Sequence, residues 1–221
     1  NYLCSVLRLK QGSEVLIFNG RDGEWRAALA PGSSRKQMAL QVTVQTRPQT
    51  RPGDLHYLFA PLKHARLDYM AQKAVEMGAS ALRPVTTRRT QSARLNVERL
   101  RANAIEAAEQ CGILALPHIH APAALERVLQ SFEPERTLVF CDEDAEVASA
   151  LAALQALPRG APLAVLIGPE GGFDPAERER LLAMPNVVRL SLGPRILRAD
   201  TAAVAALALV QATVGDWMVA G

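Results

Sequence analysis

The stretch LAVLIGPEGGFDPAERERLL, Leu163 to Leu182, decides the fold. Its first five residues are an unbroken apolar run of strand length, the pattern of a strand buried on both faces of a parallel sheet. The run empties into Gly168-Pro169-Glu170-Gly171-Gly172. Asp174-Pro175-Ala176-Glu177 then supplies an N-cap, a proline at the first helical position and a carboxylate three residues past the cap. A glycine-rich loop therefore leaves the carboxyl end of a buried strand and enters a helix, the place where open α/β sheets bind ligands. The loop matches neither G-x-G-x-x-G nor G-x-x-x-x-G-K-[ST], and no lysine follows it. Its glycines let a ligand approach the backbone, Pro169 stiffens the exit from the strand, and Glu170 is held at the strand end. A tight strand-to-helix turn would account for the glycines without a ligand.

Around this stretch, strands and helices alternate from Leu55 onward. They are LHYLFA, a helix around Arg66 to Met77, ALRPVTT, a helix around Val97 to Cys111, TLVFCD at Thr137 to Asp142, and a helix around Glu146 to Leu157. The stretch itself follows, then VVRLSL at Val187 to Leu192 and a last helix from about Asp200. The alternation predicts a layered α/β domain with a mostly parallel sheet. In the first helix Leu67, Met70, Ala71 and Ala74 fall on one face, Lys63, Gln72 and Lys73 are left to solvent or ligand, and Gly78 ends the element. In the second, Asn96 is the N-cap, Leu100, Ala104, Ala107, Ala108 and Cys111 form the buried stripe, and Gly112 follows as C′. Glu106, Glu109 and Gln110 lie on a solvated face. Residues 1–46 instead alternate with period two (SVLRL, EVLIFN, EWRAAL, LQVTVQT) around the turn NGRDG, which predicts a small antiparallel sheet or barrel. TRPQTRPGD, Thr46 to Asp54, breaks regular structure and divides the chain into domains at 1–50 and 51–221. Because the strand pattern is already under way at the first residues, the natural N-terminus is expected upstream.

A chain of 221 residues that is 49% hydrophobic can bury a substantial core. Cys4, Cys111 and Cys141 are far apart and form no C-x-x-C pair, so neither a disulfide framework nor a zinc ribbon is expected, and a reducing cytosol suits them. The longest apolar run, Thr201 to Val214, is too short and too alanine-rich to span a bilayer, so no membrane partner is expected. His118 and His120 share a strand face with no cysteine or carboxylate at ligand spacing; they read as strand-end histidines, and no metal is expected. Charge is segregated: residues 1–101 carry 17 Lys and Arg against 7 Asp and Glu, and residues 102–221 carry 8 against 15. That asymmetry predicts a polyanion docked on the N-terminal half, an arginine-rich surface without a partner being the alternative.

A second loop strengthens the case for a ligand. LSLGPRILRADTAAVAALALV, Leu190 to Val210, again sends an apolar strand into Gly-Pro and inserts RILR before a long alanine-rich helix. Two such exits from neighbouring strands make a walled pocket. Together LIGPEGGF, LSLGPRILRADTAA, AIEAAEQCG, MAQKAVEMGASALRPVTTRRT and VLRL followed by VLIFNGRDGEW resemble the RsmE family of 16S ribosomal RNA uridine-N3 methyltransferases, of the SPOUT class. The similarity runs over nearly the whole chain in the family's order. The resemblance implies an N-terminal PUA-like β-barrel that binds RNA and a SPOUT-type α/β domain whose carboxyl end forms a trefoil knot. It further implies S-adenosylmethionine as cofactor, 16S RNA of the small subunit as substrate, a homodimer and a cytoplasmic location. Carried over by position, Leu166, Ile167, Gly168, Glu170, Gly171 and Gly172 form one wall of the cofactor site, and Leu190, Ser191, Leu192, Gly193, Ile196, Leu197 and Arg198 the other. Valine at Gly168 or Gly193 is then expected to fill space the cofactor uses.

Arg198 is placed to stabilise charge on the uracil as its N3 proton leaves, with an ion pair to Asp200 as the competing role. Asp200, Glu170, a phosphate or water could take the proton. Arg8, Arg21, Lys63, Lys73, Arg88 and Arg89 are the expected RNA contacts, acting on substrate and not on cofactor. Two positions depart from the family pattern: Asp200 stands where LRTETA has glutamate, and Ile113 stands where EQCGR has arginine. The rival readings are a SPOUT methyltransferase acting on another RNA and a non-catalytic RNA-binding or ribosome-assembly protein.

Overall fold

The computed structural model describes residues 9–10, 12–33, 38–91, 95–145 and 150–218. The chain divides into two compact units between Arg51 and Pro52. In the first, β1 (Glu14–Phe18), β2 (Glu24–Leu29) and β3 (Leu40–Arg47) pair antiparallel in that order. The NGRDG turn between β1 and β2 is an Asx turn, in which Asn19 Oδ1 accepts from the backbone N–H groups of Arg21 and Asp22. Gly23 closes it with φ +79°, and a Cβ there would fall 2.3 Å from the Arg47 carbonyl, so only glycine fits. The strand expected at SVLRL lies outside the described residues apart from Leu9.

The second unit alternates as expected: β4 (Leu55–Phe59), α1 (His64–Glu76), β5 (Ala81–Thr86), α2 (Val97–Cys111), β6 (His118–Ile119), β7 (Ala123–Ala124) and α3 (Leu125–Gln130). There follow β8 (Thr137–Cys141), α4 (Ala150–Gln155), β9 (Leu163–Ile167), α5 (Pro175–Leu182), β10 (Val187–Leu190) and α6 (Ala199–Thr213). The sheet is parallel in the order β10-β8-β9-β4-β5-β6, with β7 on β5. All five residues of β9 are buried, because strands flank it on both sides and helices cover both faces. One face packs Leu58, Phe140 and Leu166 against Leu125 and Val128 of α3 and Leu181 of α5. The other carries Tyr57, Val139 and Val165 in register, and α6 packs on this part of the unit against β9, α1 and α4.

The caps follow the sequence. Asn96 accepts from Arg99 N–H, Gly112 is left-handed, and Asp174 with Glu177 forms a full capping box on α5. Cys111 corrects the expected stripe: as the last helical residue, next to Gly112, it is exposed. The helix expected over Glu146 to Leu157 is Ala150–Gln155 within the described residues. The Tyr57 hydroxyl is fully buried without a hydrogen-bond partner among the described residues, a cost of about 1–3 kcal/mol.

The histidines form a packed polar group. His118 stands edge-on to His120 at 4.3 Å, and Arg83 Nη1 lies 3.3 Å from His56 Nδ1. Burial, with Arg136 and Arg83 alongside, pushes the His56 pKa down from 6.5 to about 4. The unfolded chain therefore takes up this proton first. The stability is fully present above pH 6.5 and falls as pH drops toward 4, by about 3 kcal/mol for a shift of this size. Urea midpoints measured from pH 7.5 to 4 should show this loss, and His56→Gln should flatten it; an unchanged slope would mean that His56 is not its source.

Candidate functional site

The carboxyl ends of β8, β9 and β10 surround a cavity of about 660 Å³. Ile167, Gly168, Glu170 and Gly172 form one wall, and Leu190, Ser191, Leu192, Gly193, Ile196, Leu197 and Arg198 another, so most of the expected cofactor residues meet there. Two do not line it. Leu166 points to the opposite face of the sheet and packs in the core, as strand alternation requires with Ile167 on the cavity. Gly171 gives its carbonyl to Arg89 Nη1 at 2.8 Å.

Asp200 is also off the lining. Its Oδ1 accepts from the N–H of Thr201, and its Oδ2 lies 3.9 Å from Arg66 Nε. Arg66 pairs through Nη1 with Glu170 as well, so one guanidinium from the first turn of α1 joins the glycine loop to the start of α6. Sequence reading missed Arg66, since a helix-surface arginine carries no signal of the two carboxylates that the fold brings to it.

A third wall, Cys141 to Ala145, follows β8. Asp142 there has a side chain only 3% exposed, and its carboxylate accepts from Arg178 Nη2 at 2.9 Å, Arg189 Nε at 3.0 Å and the Asp144 N–H at 3.2 Å. Burial raises its pKa, but the hydrogen bonds outweigh burial and hold it below the usual carboxylate range. The ion pairs tie the β8 loop to α5 and to β10. The available signal was CDED at the end of an expected strand, but nothing local in it marks the arginine partners of Asp142, which lie 36 and 47 residues away. Burial pushes the Cys141 thiol up to about 12, which rules it out as a thiolate nucleophile.

The loop glycines differ in cause. A Cβ on Gly168 would fall 2.5 Å from the Phe173 ring, which itself stands edge-on to Phe140 at 5.2 Å. Crowding by Phe173 therefore opposes a side chain there. Among the described residues nothing lies within 4 Å of the Gly193 Cβ position, and its φ of +97° is a backbone conformation that favours glycine.

Of the expected RNA contacts, Arg8 lies outside the described residues. Arg21 and Lys63 are exposed, and Lys73 is bonded to both oxygens of Glu76. Arg88 bonds Asp174 at 3.0 Å through Nη1 and Glu177 at 2.8 Å through its N–H. Arg88 and Arg89 thus brace the glycine loop and the cap of α5.

The cavity suits a nucleoside with a charged tail. Its volume is in the range of small-molecule sites, and Ile167, Leu192, Leu197 and Ala202 offer apolar cover. Glu143, Asp144 and Glu170 set carboxylates along the rim, where a sulfonium or an ammonium would be favoured.

Family models match an RNA methyltransferase domain over residues 49–211 and an RNA methyltransferase PUA domain over residues 1–42. The chain is 29% identical to the ribosomal RNA small subunit methyltransferase E of Rickettsia conorii over 96% of its own length and 85% of that protein. It is 30% identical to the Synechocystis protein of the same name, over 96% and 70%. Among solved structures, the Neisseria gonorrhoeae ribosomal RNA small subunit methyltransferase E bound to S-adenosylmethionine superposes with TM-score 0.83 at 25% identity, covering 96% and 87% of the two chains. A Legionella pneumophila methyltransferase with bound S-adenosylmethionine gives 0.82 at 27%, with the same coverage.

Gly168→Ala should displace Phe173 and lower stability by about 1–3 kcal/mol, with weaker cofactor binding. Phe173→Leu in the same chain should restore part of the stability, a coupling that a double-mutant cycle of melting curves measures. Additive effects would separate the two residues.

Proposed function

Because the chain belongs to the RsmE family of RNA methyltransferases, we propose that it transfers the methyl group of S-adenosylmethionine to N3 of a uridine in 16S ribosomal RNA of the small subunit. The observation that carries this reading is the cavity at three adjacent strand ends, whose walls are the two Gly-Pro loops of the family pattern. Bound there, the cofactor supplies an electrophilic methyl on a sulfonium, whose departure from sulfur needs no acid. The protein must orient the reactants and deal with the N3 proton. The target base must be unpaired or flipped, since N3 is occupied in a pair.

Ile167, Leu192 and Leu197 cover the adenine faces, and main chain at Gly168 and Gly193 meets its edge. Arg198, at the N-cap of α6 and on the cavity wall, faces the uracil oxygens as negative charge develops. Asp200 acts from behind the wall, through Arg66. Arg21 and Lys63, exposed and without a carboxylate at hydrogen-bond distance among the described residues, contact RNA phosphates.

The trefoil knot fits the path of the chain, which leaves the edge strand β10 and returns to lay α6 against β9, α1 and α4. A homodimer is supported by the half-buried second stripe of α6, with Val204, Ala205, Ala208 and Leu209, beside the stripe already used in the core. No described helix is long and apolar enough to cross a membrane, and we place the protein in the cytosol with its substrate.

Labelled cofactor incubated with small-subunit particles, naked 16S RNA and transfer RNA should put label in N3-methyluridine of 16S RNA. Label elsewhere would favour a different RNA target, and RNA binding without cofactor binding would favour a non-catalytic assembly role. Arg198→Ala should lower turnover about 100- to 1,000-fold with RNA affinity unchanged. Light scattering should give twice the protomer mass.

A further inference from the structure

Glu170 and Asp200 share one cation. Arg66 pairs with Glu170 through Nη1 and lies 3.9 Å from Asp200 through Nε. Of these two acids only Glu170 lines the cavity, with a side chain 42% exposed, while Asp200 holds the first turn of α6. Asp200 follows Arg198 by two residues, so the shared arginine brings Glu170 to the side of the cavity where Arg198 stands. Two other acids of the lining are engaged by arginines of their own: Asp142 is bonded by Arg178 and Arg189, and Asp144 lies 3.8 Å from Arg178. Glu143 lies over Gly172, its Oε1 2.9 Å from where a Cβ there would sit, and among the described residues no arginine links it to α6. The charged groups facing Glu170 are therefore Arg66 from α1, Arg198 and Asp200 from α6, Arg89 on the neighbouring Gly171 carbonyl, and Glu143 across Gly172.

We propose that Glu170 is the catalytic base of the methyl transfer and that RNA arms it. A backbone phosphate takes Arg66 from Glu170, and the released carboxylate accepts the N3 proton of the target uracil. This rests on the uridine-N3 reading above. A carboxylate oxygen already held by a guanidinium is not free to accept a proton from the substrate. A phosphate is a strong competitor for a guanidinium, which it binds with paired, charge-assisted hydrogen bonds. Arg66 is partly exposed, and Lys63 precedes α1 on the surface, so a phosphate can reach the end of this helix. In the step itself the proton passes from N3 to a Glu170 oxygen. The electron pair left on N3 forms the bond to the methyl carbon as the carbon–sulfur pair returns to sulfur, and the base ends neutral. Arg198 carries the transient negative charge on the uracil oxygens. The carboxylate is thus freed only when substrate is present.

Glu170→Gln keeps the size of the side chain and separates this proposal from a role in cofactor binding. Cofactor affinity by calorimetry should fall by no more than about tenfold, since Glu143 and Asp144 remain on the rim, while single-turnover methyl transfer at saturating cofactor should fall about 100-fold or more near neutral pH. RNA binding should move the opposite way. With no carboxylate to give up, Arg66 is free for RNA in this variant, which should bind RNA more tightly at an unchanged salt slope, because the same phosphate is contacted as in the wild type. Arg66→Met should weaken RNA binding and flatten the slope of log affinity against log salt by about 0.7 to 0.9. Turnover in Glu170→Gln equal to wild type would overturn the base. Lost turnover in Glu170→Gln with its RNA affinity unchanged, or an unchanged salt slope in Arg66→Met, would overturn the exchange of Arg66. A wild-type protein that puts no label on uridine N3 would instead refute the reading on which both rest.

Discussion

The carboxylate of Asp142 is buried at the end of β8, and a charge in that position must be neutralised from within the protein. Its partners come from α5 and β10, so a single desolvated charge draws the strand ends of β8, β9 and β10 together around the cavity. Removing one arginine would leave Asp142 short of a partner in a place water does not reach, whereas the surface pairs of the same unit, such as Arg101 with Glu98, contribute little. The position of the glycine loop depends on this arrangement. The loop begins at Gly168, directly after β9, and its far end is the capped helix that carries Arg178.

The parallel unit was legible in the sequence because its signals are local. A five-residue apolar run, an Asn or Asp cap and a glycine at C′ each encode one element end, and Leu163–Ile167, Asn96, Asp174 and Gly112 behave as their neighbours dictate. The cavity's two loops were legible for the same reason, with the family pattern supplying their roles. The third wall, Arg66 and the bracing by Arg88 and Arg89 were not. Each depends on a contact between residues 36 to 104 positions apart, and no periodicity reports which arginine meets which acid. Leu166 and Cys111 show the smaller error of reading a stripe or a motif without asking which way each side chain points.

Gly168 separates two explanations that a sequence cannot. A glycine beside a ligand site is readily assigned to the ligand, yet the Phe173 ring already occupies the place a side chain would take. Phe173 in turn stands edge-on to Phe140 of β8, so the glycine permits a packing contact that sets the loop's height above the sheet. The loop's shape is therefore a consequence of the core beneath it. Gly193 stands apart from that core and no described residue crowds it, so within the protein it is the left-handed backbone that favours glycine.

The charge asymmetry of the sequence acquires a spatial meaning at the cavity. Four acids of the second half, Asp142, Glu143, Asp144 and Glu170, line one site at the strand ends, and Arg66 and Arg89 of the basic half bond to the glycine loop beside it. A cationic methyl donor and a polyanionic substrate make opposite electrostatic demands, and a site of one sign would favour one reactant at the expense of the other. Pairing Glu170 with Arg66 covers one carboxylate of the rim while both reactants are absent. The substrate's phosphate can then recruit the guanidinium and free that carboxylate for the N3 proton, while Glu143 and Asp144 face the donor's positive centre. The Arg66–Glu170 pair is thus better understood as a place held for the substrate than as a contribution to stability, which a partly exposed pair supplies only weakly, in contrast to the buried pairs of Asp142.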